Sequence, residues 1–437
     1  MAFSLASSKA RPVPIEHRKN FNHFILDIAW FGVLNGSAIA FIAVYATRLG
    51  ASTFQISLLN ASPAVINLIF ALPAGRWLQD QPISRATFYS SILHRWFYLV
   101  WIFLPFFFAP GEQVWLIVLL TVLMSIPGTA LSIGFNGLFA ATVPPEWRAQ
   151  IVGTRNAAYA LTSIVVTLIC GWLLVVLPFP VGYQVVFLIG FIGAAMSSLH
   201  LWFVRPADEH RKPGNGKSLG DWAQPGSMSM WQGLRATVGL RFLMRPRSLS
   251  SHWFNPIKDL HFRKVLIFVF VVHLTLHLAV PLFPIYLVRE MGMSDQIIGL
   301  GNSIFYVALF LASTRLDMVT RRLGNRKTMA LGVIIISLYP GLLSVATSAS
   351  LYLVASILGG AGWAFAGGAV GNYVLEKTPD DSRPSYLAWN NMSLQAGILL
   401  GALIAPLLAG WWGLAIGLAF AAAMRFLTGL AIWRVRG

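Results

Sequence analysis

Charge is what this chain lacks most. Only 11% of its 437 residues are Asp, Glu, Lys or Arg, against 57% hydrophobic. A water-soluble domain of that length needs far more charge to cover its surface, so the composition excludes a soluble fold. Acids are the scarcest, 15 against 32 lysines and arginines, which leaves a formal net charge of +17. Such an excess could mark a nucleic-acid binder. Cations also collect in the cytoplasmic loops of membrane proteins, and that reading explains the excess with no nucleic-acid partner. Cysteine is almost absent. Cys170 stands alone inside an apolar run, which excludes a disulfide framework and a thiolate metal site. Enzyme signatures are missing too: there is no Walker A pattern after a strand, no GxSxG, no HExxH and no paired CxxC. Neither an enzyme nor a self-contained ATP-driven pump is expected, and no cofactor or metal is implied. The segment MAFSLASSKARPVPIEHRKN is too polar for a cleaved signal peptide.

What is abundant is long apolar runs. A membrane-crossing helix needs about 20 mostly apolar residues. Candidate spans fall at 22–46, 54–75, 87–109, 114–140, 155–178 and 183–204, then at 263–288, 297–315, 328–347, 351–375, 388–409 and 411–433. The division this implies is a tail (1–20), a six-helix bundle (21–204), a basic linker (205–262) and a second six-helix bundle (263–437). Charge placement tests the threading independently. With the N-terminus in the cytoplasm, all but four of the 32 lysines and arginines fall on the cytoplasmic side. Arg48 and Arg289 lie outside, while Arg95 and Arg425 lie within spans. Both termini are therefore expected in the cytoplasm, and the cytoplasmic (inner) membrane is the expected location. Within the linker, Trp231, Leu234, Val238 and Phe242 recur at near-helical spacing among arginines, which predicts an amphipathic helix on the inner membrane face.

The two halves repeat. YATRLGASTFQISLL begins at Tyr45 and YLVREMGMSDQIIGL at Tyr286, so that Tyr45 matches Tyr286, Arg48 matches Arg289 and Gln55 matches Gln296 at one offset. A second pair, VPPEWRAQIVGTRN and TPDDSRPSYLAWNN, matches Pro144 with Pro379, Arg148 with Arg383 and Asn156 with Asn391. Two matches in the same order at corresponding positions make a duplicated six-helix unit whose halves share one orientation, a parallel repeat.

Six plus six helices, parallel repeats and a long basic central loop resemble the major facilitator superfamily of secondary transporters. The resemblance covers the chain from about Asn20 and implies an all-α polytopic fold of twelve transmembrane helices. That family's glycine, acid and basic cluster after the second span, echoed after the eighth, is degenerate here. AGRWLQDQPISR keeps Gly75, Asp80 and Arg85; STRLDMVTRRLGNRK keeps Arg322, Gly324, Arg326 and Lys327. The fourth span lacks the buried arginine associated with proton coupling, and the fifth lacks the glycine-proline pattern of drug antiporters. The latch the resemblance implies carries over to Asp80 and Arg322 at most; Arg85, Arg148, Arg326 and Arg383 complete the cytoplasmic gate candidates. The resemblance also implies that the first, fourth, seventh and tenth helices line a cavity.

Charges inside a bilayer are costly and suggest function. Asp27 is the one acid inside a span. A carboxylate held from water at that depth binds a proton more readily, as proton coupling needs; the other reading is a headgroup-level residue paired with a nearby cation. Arg95, beside His94 in the third span, either neutralises Asp27, binds an acidic group of a substrate, or snorkels to the inner surface. Arg425 is expected to snorkel. His273 and His277 share one face of the seventh helix; the spacing could seat a transition metal, though no acid or cysteine within the second half's spans completes a shell, or serve proton or substrate contact or simple packing. Pro281 and Pro284 beyond them should break that helix. Asn35, Asn136 and Asn372 join His94, Arg95, His273 and His277 as candidate cavity residues. In the tenth and eleventh spans, Gly367 with Gly371 and Gly397 with Gly401 read as close helix packing. The expected function is secondary transport of a small organic solute by a monomer in the lipid bilayer, driven by a gradient in which protons could take part. The alternative is a membrane receptor, scaffold or assembly partner with the same fold.

Overall fold

A computed structural model describes residues 15–206, 255–379 and 383–435. Among these residues the chain is all helical, with twelve helices long and apolar enough to cross a membrane. They are α1 (His17–Arg48), α2 (Thr53–Leu78), α3 (Ile83–Phe107), α4 (Pro110–Thr142), α5 (Glu146–Val176) and α6 (Val181–Trp202), followed by α7 (Leu260–Glu290), α8 (Asp295–Ser313), α9 (Leu316–Ser344), α10 (Ala349–Glu376), α11 (Ser385–Trp412) and α12 (Leu414–Arg434). Each expected span is present. The amphipathic linker helix around Trp231 lies outside the described residues.

Helices are the form this composition must take, because a backbone in hydrocarbon has to satisfy its own hydrogen bonds. Their starts follow local chemistry. Ser52 and Gln55 form a capping box on α2, and Ser294 accepts from the Ile297 amide at the start of α8. The Asp259 carboxylate takes the amides of His261 and Phe262 and so caps α7. Two helices begin well before their apolar runs. The helix of α5 starts at Pro145, where proline suits a first turn. The α9 helix starts at Leu316 and breaks at Gly324, whose φ of 77° lies in the left-handed region that glycine tolerates. Outward-facing aromatics such as Phe106, Phe107 and Trp411 are exposed at helix ends, where aromatic side chains sit at membrane interfaces.

Helix packing repeats as the sequence does. In the first half α1 packs on α5 and α6, α3 on α4 and α6, and α2 on α4. In the second, α7 packs on α11 and α12, α9 on α10 and α12, and α8 on α10. These are the same contacts shifted by six helices. The halves are joined mainly by α2 on α11 and by α5 on α8, again one contact repeated.

Glycines set the closest approaches. A Cβ at Gly360 would strike the Phe305 carbonyl on α8, and one at Gly362 the Ile336 amide on α9. Gly397 and Gly401 lie against the α7 backbone and against the Cβ atoms of His273 and His277. The expected role of Gly371 in packing fails, since nothing lies within 4 Å of its added Cβ. In α10 the approach is made by Gly359, Gly360 and Gly362 instead.

Two helices are irregular in matching places. In α1 the turn Asn35–Ile39 widens to a π-helix. In α7 the regular helix ends at His277, turns through Pro281, resumes at Leu282–Ile285 and ends in a second π turn at Tyr286–Glu290. The offset that aligns Arg48 with Arg289 lays the α1 widening over the α7 break.

Candidate functional site between the two halves

Asn35 stands near the middle of α1, at the start of its π turn. Such turns concentrate at functional sites because they re-aim side chains. The Asn35 amide donates to Tyr306 Oη on α8 at 3.1 Å and to Ser163 Oγ on α5 at 3.3 Å. Ser163 in turn donates to the Gly32 carbonyl at 3.3 Å. One side chain thus links α1, α5 and α8 and bridges the two halves. Aromatic rings surround it: Phe31 stacks on Tyr159 with centroids 6.0 Å apart, and Tyr159 meets Tyr306 edge-on at 6.4 Å. The close approach of α1 to α5 depends on glycine. A Cβ at Gly36 would come within 2.6 Å of the Ser163 carbonyl, and one at Gly32 would collide with Thr162.

Toward the α1–α2 end of the helices, Val44 of α1 joins Leu278, Ala279 and Leu282 of α7 in an apolar cluster. Beyond it two arginines cross between the halves in opposite directions. Arg48 reaches the Asp295 carboxylate at 2.9 Å and the Met293 carbonyl at 2.8 Å. Arg289 donates to the Ala51 carbonyl at 2.6 Å. These are the pair that the internal repeat aligns, so the clasp is reciprocal. Each half lends a guanidinium to the other's loop.

Arg148 donates to the Val143 and Ala140 carbonyls at 3.0 Å each, closing the C-terminus of α4 within its own half. In the second half Arg321 pairs with Asp317, Asn325 with Glu376, and Lys327 lies over Trp433. Those contacts also stay within one half. Asp80, Arg85 and Arg322 are exposed and Arg326 is half-buried. The Arg383 side chain lies outside the described set.

Asp27 is buried, with its carboxylate turned into the first half. Arg155 Nη1 lies 3.4 Å from it and Arg95 Nη2 3.9 Å, and the Ser197 hydroxyl donates to it. The expected pairing of Asp27 with Arg95 is therefore present, but Arg155 is the nearer cation. Arg155 also donates to the Phe24 carbonyl at 2.6 Å and lies over the Phe135 ring at 4.7 Å. The charge count had placed Arg155 at the inner surface; its 1% exposure corrects that. A signal was available. Pro144, Pro145 and Glu146 spell a helix start, which puts Arg155 in the third turn of α5.

The snorkelling reading of Arg425 is likewise corrected. It is 1% exposed and turns inward to the Ile336 carbonyl of α9 and the Thr275 and Leu276 carbonyls of α7, at 3.0–3.2 Å. The α7 break beginning beyond His277 leaves carbonyls short of intrahelical donors, and Arg425 supplies them.

The remaining cavity candidates scatter. His94 turns to the Met124 carbonyl at 2.7 Å and against Gly128, at the contact of α3 with α4. His273 and His277 each engage the carbonyl one turn back, of Val269 and of His273, and pack on α11. Among the described residues no group of three or more His, Cys, Asp or Glu could hold a metal ion. Asn136 on α4 and Asn372 on α10 are half-buried. Of the sequence candidates, Asn35 stands at the bridge between the halves. Ser163, Tyr306 and the Arg48–Asp295 pair went unrecognised.

Comparison with known proteins agrees with this architecture. A family model of the Major Facilitator Superfamily matches residues 22–266 and 265–436. The chain is 26% identical over 156 residues to Multidrug resistance protein 2 of Bacillus subtilis (strain 168), which is 36% of this chain and 38% of that one. It is 31% identical over 135 residues to Sugar transport protein MST8 of Oryza sativa subsp. japonica, 29% of this chain and 26% of that one. The matches thus span well under half the length of these curated relatives. The crystal structure of nucleoside transporter NupG superposes with a TM-score of 0.65 at 13% identity, covering 96% of this chain and 100% of that one.

Proposed function

The chain belongs to the major facilitator superfamily, and on that footing we propose that it carries a small organic solute across the cytoplasmic membrane by alternating access. It works as a monomer with both termini inside, the orientation the cation distribution favours. The observation that carries the proposal is the reciprocal clasp of Arg48 and Arg289. The polar contacts made there join one half to the other. Two bundles joined mainly along α2–α11 and α5–α8 can rock about that seam. In this reading the chain is held closed at its outer end and opens toward the cytoplasm. The bridge at Asn35 lies beneath the closure, where a solute entering from inside would meet it.

Proton coupling was one reading of Asp27, and pairing with a nearby cation the other. The geometry supports the second. Two guanidiniums and a hydroxyl occupy the carboxylate, and they come from α3, α5 and α6, not from the opposite half. We assign Asp27 as the counter-ion that lets Arg95 and Arg155 stay buried. Transport itself is tested in proteoliposomes, by counterflow across a panel of nucleosides, pentoses, hexoses and lipophilic drugs. Carriage of at least one class above protein-free vesicles is expected. Flux equal to empty vesicles for every class, with folded protein, would favour a receptor or scaffold.

A further inference from the structure

Each half buries an arginine between its first, third and sixth helices, but the two are supplied from different helices. In the first half Arg95 stands on α3 and reaches Asp27 on α1 and the Ala194 carbonyl on α6. The offset that aligns Arg48 with Arg289 lays Ile336 over Arg95 and Phe268 over Asp27, so neither that cation nor its acid recurs in the second half. Arg425 comes instead from α12 and reaches the Ile336 carbonyl on α9 and the Thr275 and Leu276 carbonyls on α7. We infer that Arg425 is a positioning residue: it fixes the α7 break and so sets how the outer segment of α7 closes on α1. The inference rests on the transporter reading above and adds the side chain that holds its outward-closed state.

The backbone at the break shows what the guanidinium does. A continuous helix would give the Ala279 amide to the Thr275 carbonyl. Here that amide goes to Leu276 instead, at 3.4 Å, and Pro281 has no amide to continue the ladder. Arg425 Nη2 donates to both carbonyls, at 3.1 Å to Thr275 and 3.0 Å to Leu276. Buried carbonyls without donors are costly, so loss of the guanidinium favours rewinding of Ala279 onto Thr275. Rewinding turns every residue beyond it. Those are the residues that meet α1 and its loop: Ala279 and Leu282 join Val44, and Arg289 reaches the Ala51 carbonyl. Space-filling does not account for Arg425, since a cation within a span is costly and an apolar side chain would fill the volume without that penalty. It is 1% exposed, its Nε is buried with no acceptor, and no carboxylate pairs with it among the described residues. Its hydrogen bonds go to backbone oxygens alone.

The matching turn of α1 supplies the contrast. Under the same offset Thr275 and Leu276 lie over Leu34 and Asn35. There the facing residue on α6 is Gly193, whose added Cβ would stand 2.9 Å from the Leu34 amide nitrogen. The α6 backbone itself lies against α1 and offers no side-chain donor. The α1 helix runs on through its π turn without interruption, whereas α7, met by a guanidinium, is broken.

The test is the distance across the outer end of the full-length protein, read by pulsed dipolar spectroscopy between spin labels at Ser52→Cys and Glu290→Cys, with Cys170→Ser removing the native thiol. Arg425→Gln keeps a polar head that can donate to fewer carbonyls, and the ratio of open to closed outer ends is expected to rise about ten-fold. Arg425→Lys keeps the charge and its N–H donors on a single atom. A rise of only a few-fold is expected for it, and it carries the test should Arg425→Gln not fold. Met329→Ala opens a hole in an apolar cluster of the second half that is separate from the one at the break. It should lower the melting temperature and leave the distance unchanged, which separates positioning from a general loss of stability. The inference is overturned if the Arg425 variants keep the parent distance, or if Met329→Ala lengthens it as much as they do. The measurement needs no solute, so absence of counterflow sinks the transport reading without touching these distances. Unchanged distances sink the role of Arg425 and leave transport standing.

Discussion

Asp27 and Arg48 both take part in ion pairs with distant parts of the sequence, yet the two pairs do different work. Asp27 sits with Arg95 and Arg155 wholly inside the first half, nearly sealed from solvent. Arg48 holds Asp295 across the seam between halves, with 27% of its side chain exposed. Contacts inside one half stay intact however the halves move, so they contribute to folding. Contacts across the seam exist in one arrangement only, so they weight one state against another. A static list of ion pairs conceals that distinction; the repeat exposes it, because it says which helices belong together.

The sharpest way to break the comparison is Asp27→Asn. It leaves two buried arginines facing a neutral amide, and removing one partner of a buried pair costs about 3–5 kcal/mol. A large loss of thermal stability is expected, with the distance between the outer ends unchanged in the protein that remains folded. A variant of normal stability that had lost proton-driven flux would instead restore the coupling role. Next in size is the double substitution Arg48→Ala with Arg289→Ala. It removes the polar clasp, and partial exposure limits the effect to about a ten-fold shift between states. Melting temperature should barely move. The smallest effect belongs to Asp317→Asn, which breaks an exposed pair within one helix. Neither stability nor state distribution should change beyond error in thermal or spectroscopic measurement, since such pairs contribute little.

The fold was legible because hydrophobic run length and cation placement are properties of single segments. Twelve spans and their pairing into repeats need no knowledge of which side chains face one another. The site was less legible because it is made of rotations about helix axes. Asn35 could be named from its depth, but its partners Ser163 and Tyr306 lie 128 and 271 residues away. Arg155 and Arg425 were misplaced for one physical reason. Both were judged by their distance from a helix end, which decides whether a long side chain can reach water. Both instead find acceptors inside, Arg155 at Asp27 and Arg425 at carbonyls beside the α7 break. Arg48 and Arg289 were aligned by the repeat, yet the alignment alone could not say that they cross.

Alternating access makes the two ends depend on each other, and that dependence can be measured. Spin labels at Ser52→Cys and Glu290→Cys report the outer end, and labels at Arg85→Cys and Arg322→Cys the inner end; all four positions are exposed, and Cys170→Ser removes the native thiol. Pulsed dipolar distances are read for each pair with and without Arg48→Ala and Arg289→Ala. The account predicts a short outer and a long inner distance in the parent. In the double variant a second population should appear in both pairs, longer outside and shorter inside, in equal proportion. An outer end that opens while the inner distance stays fixed would contradict it.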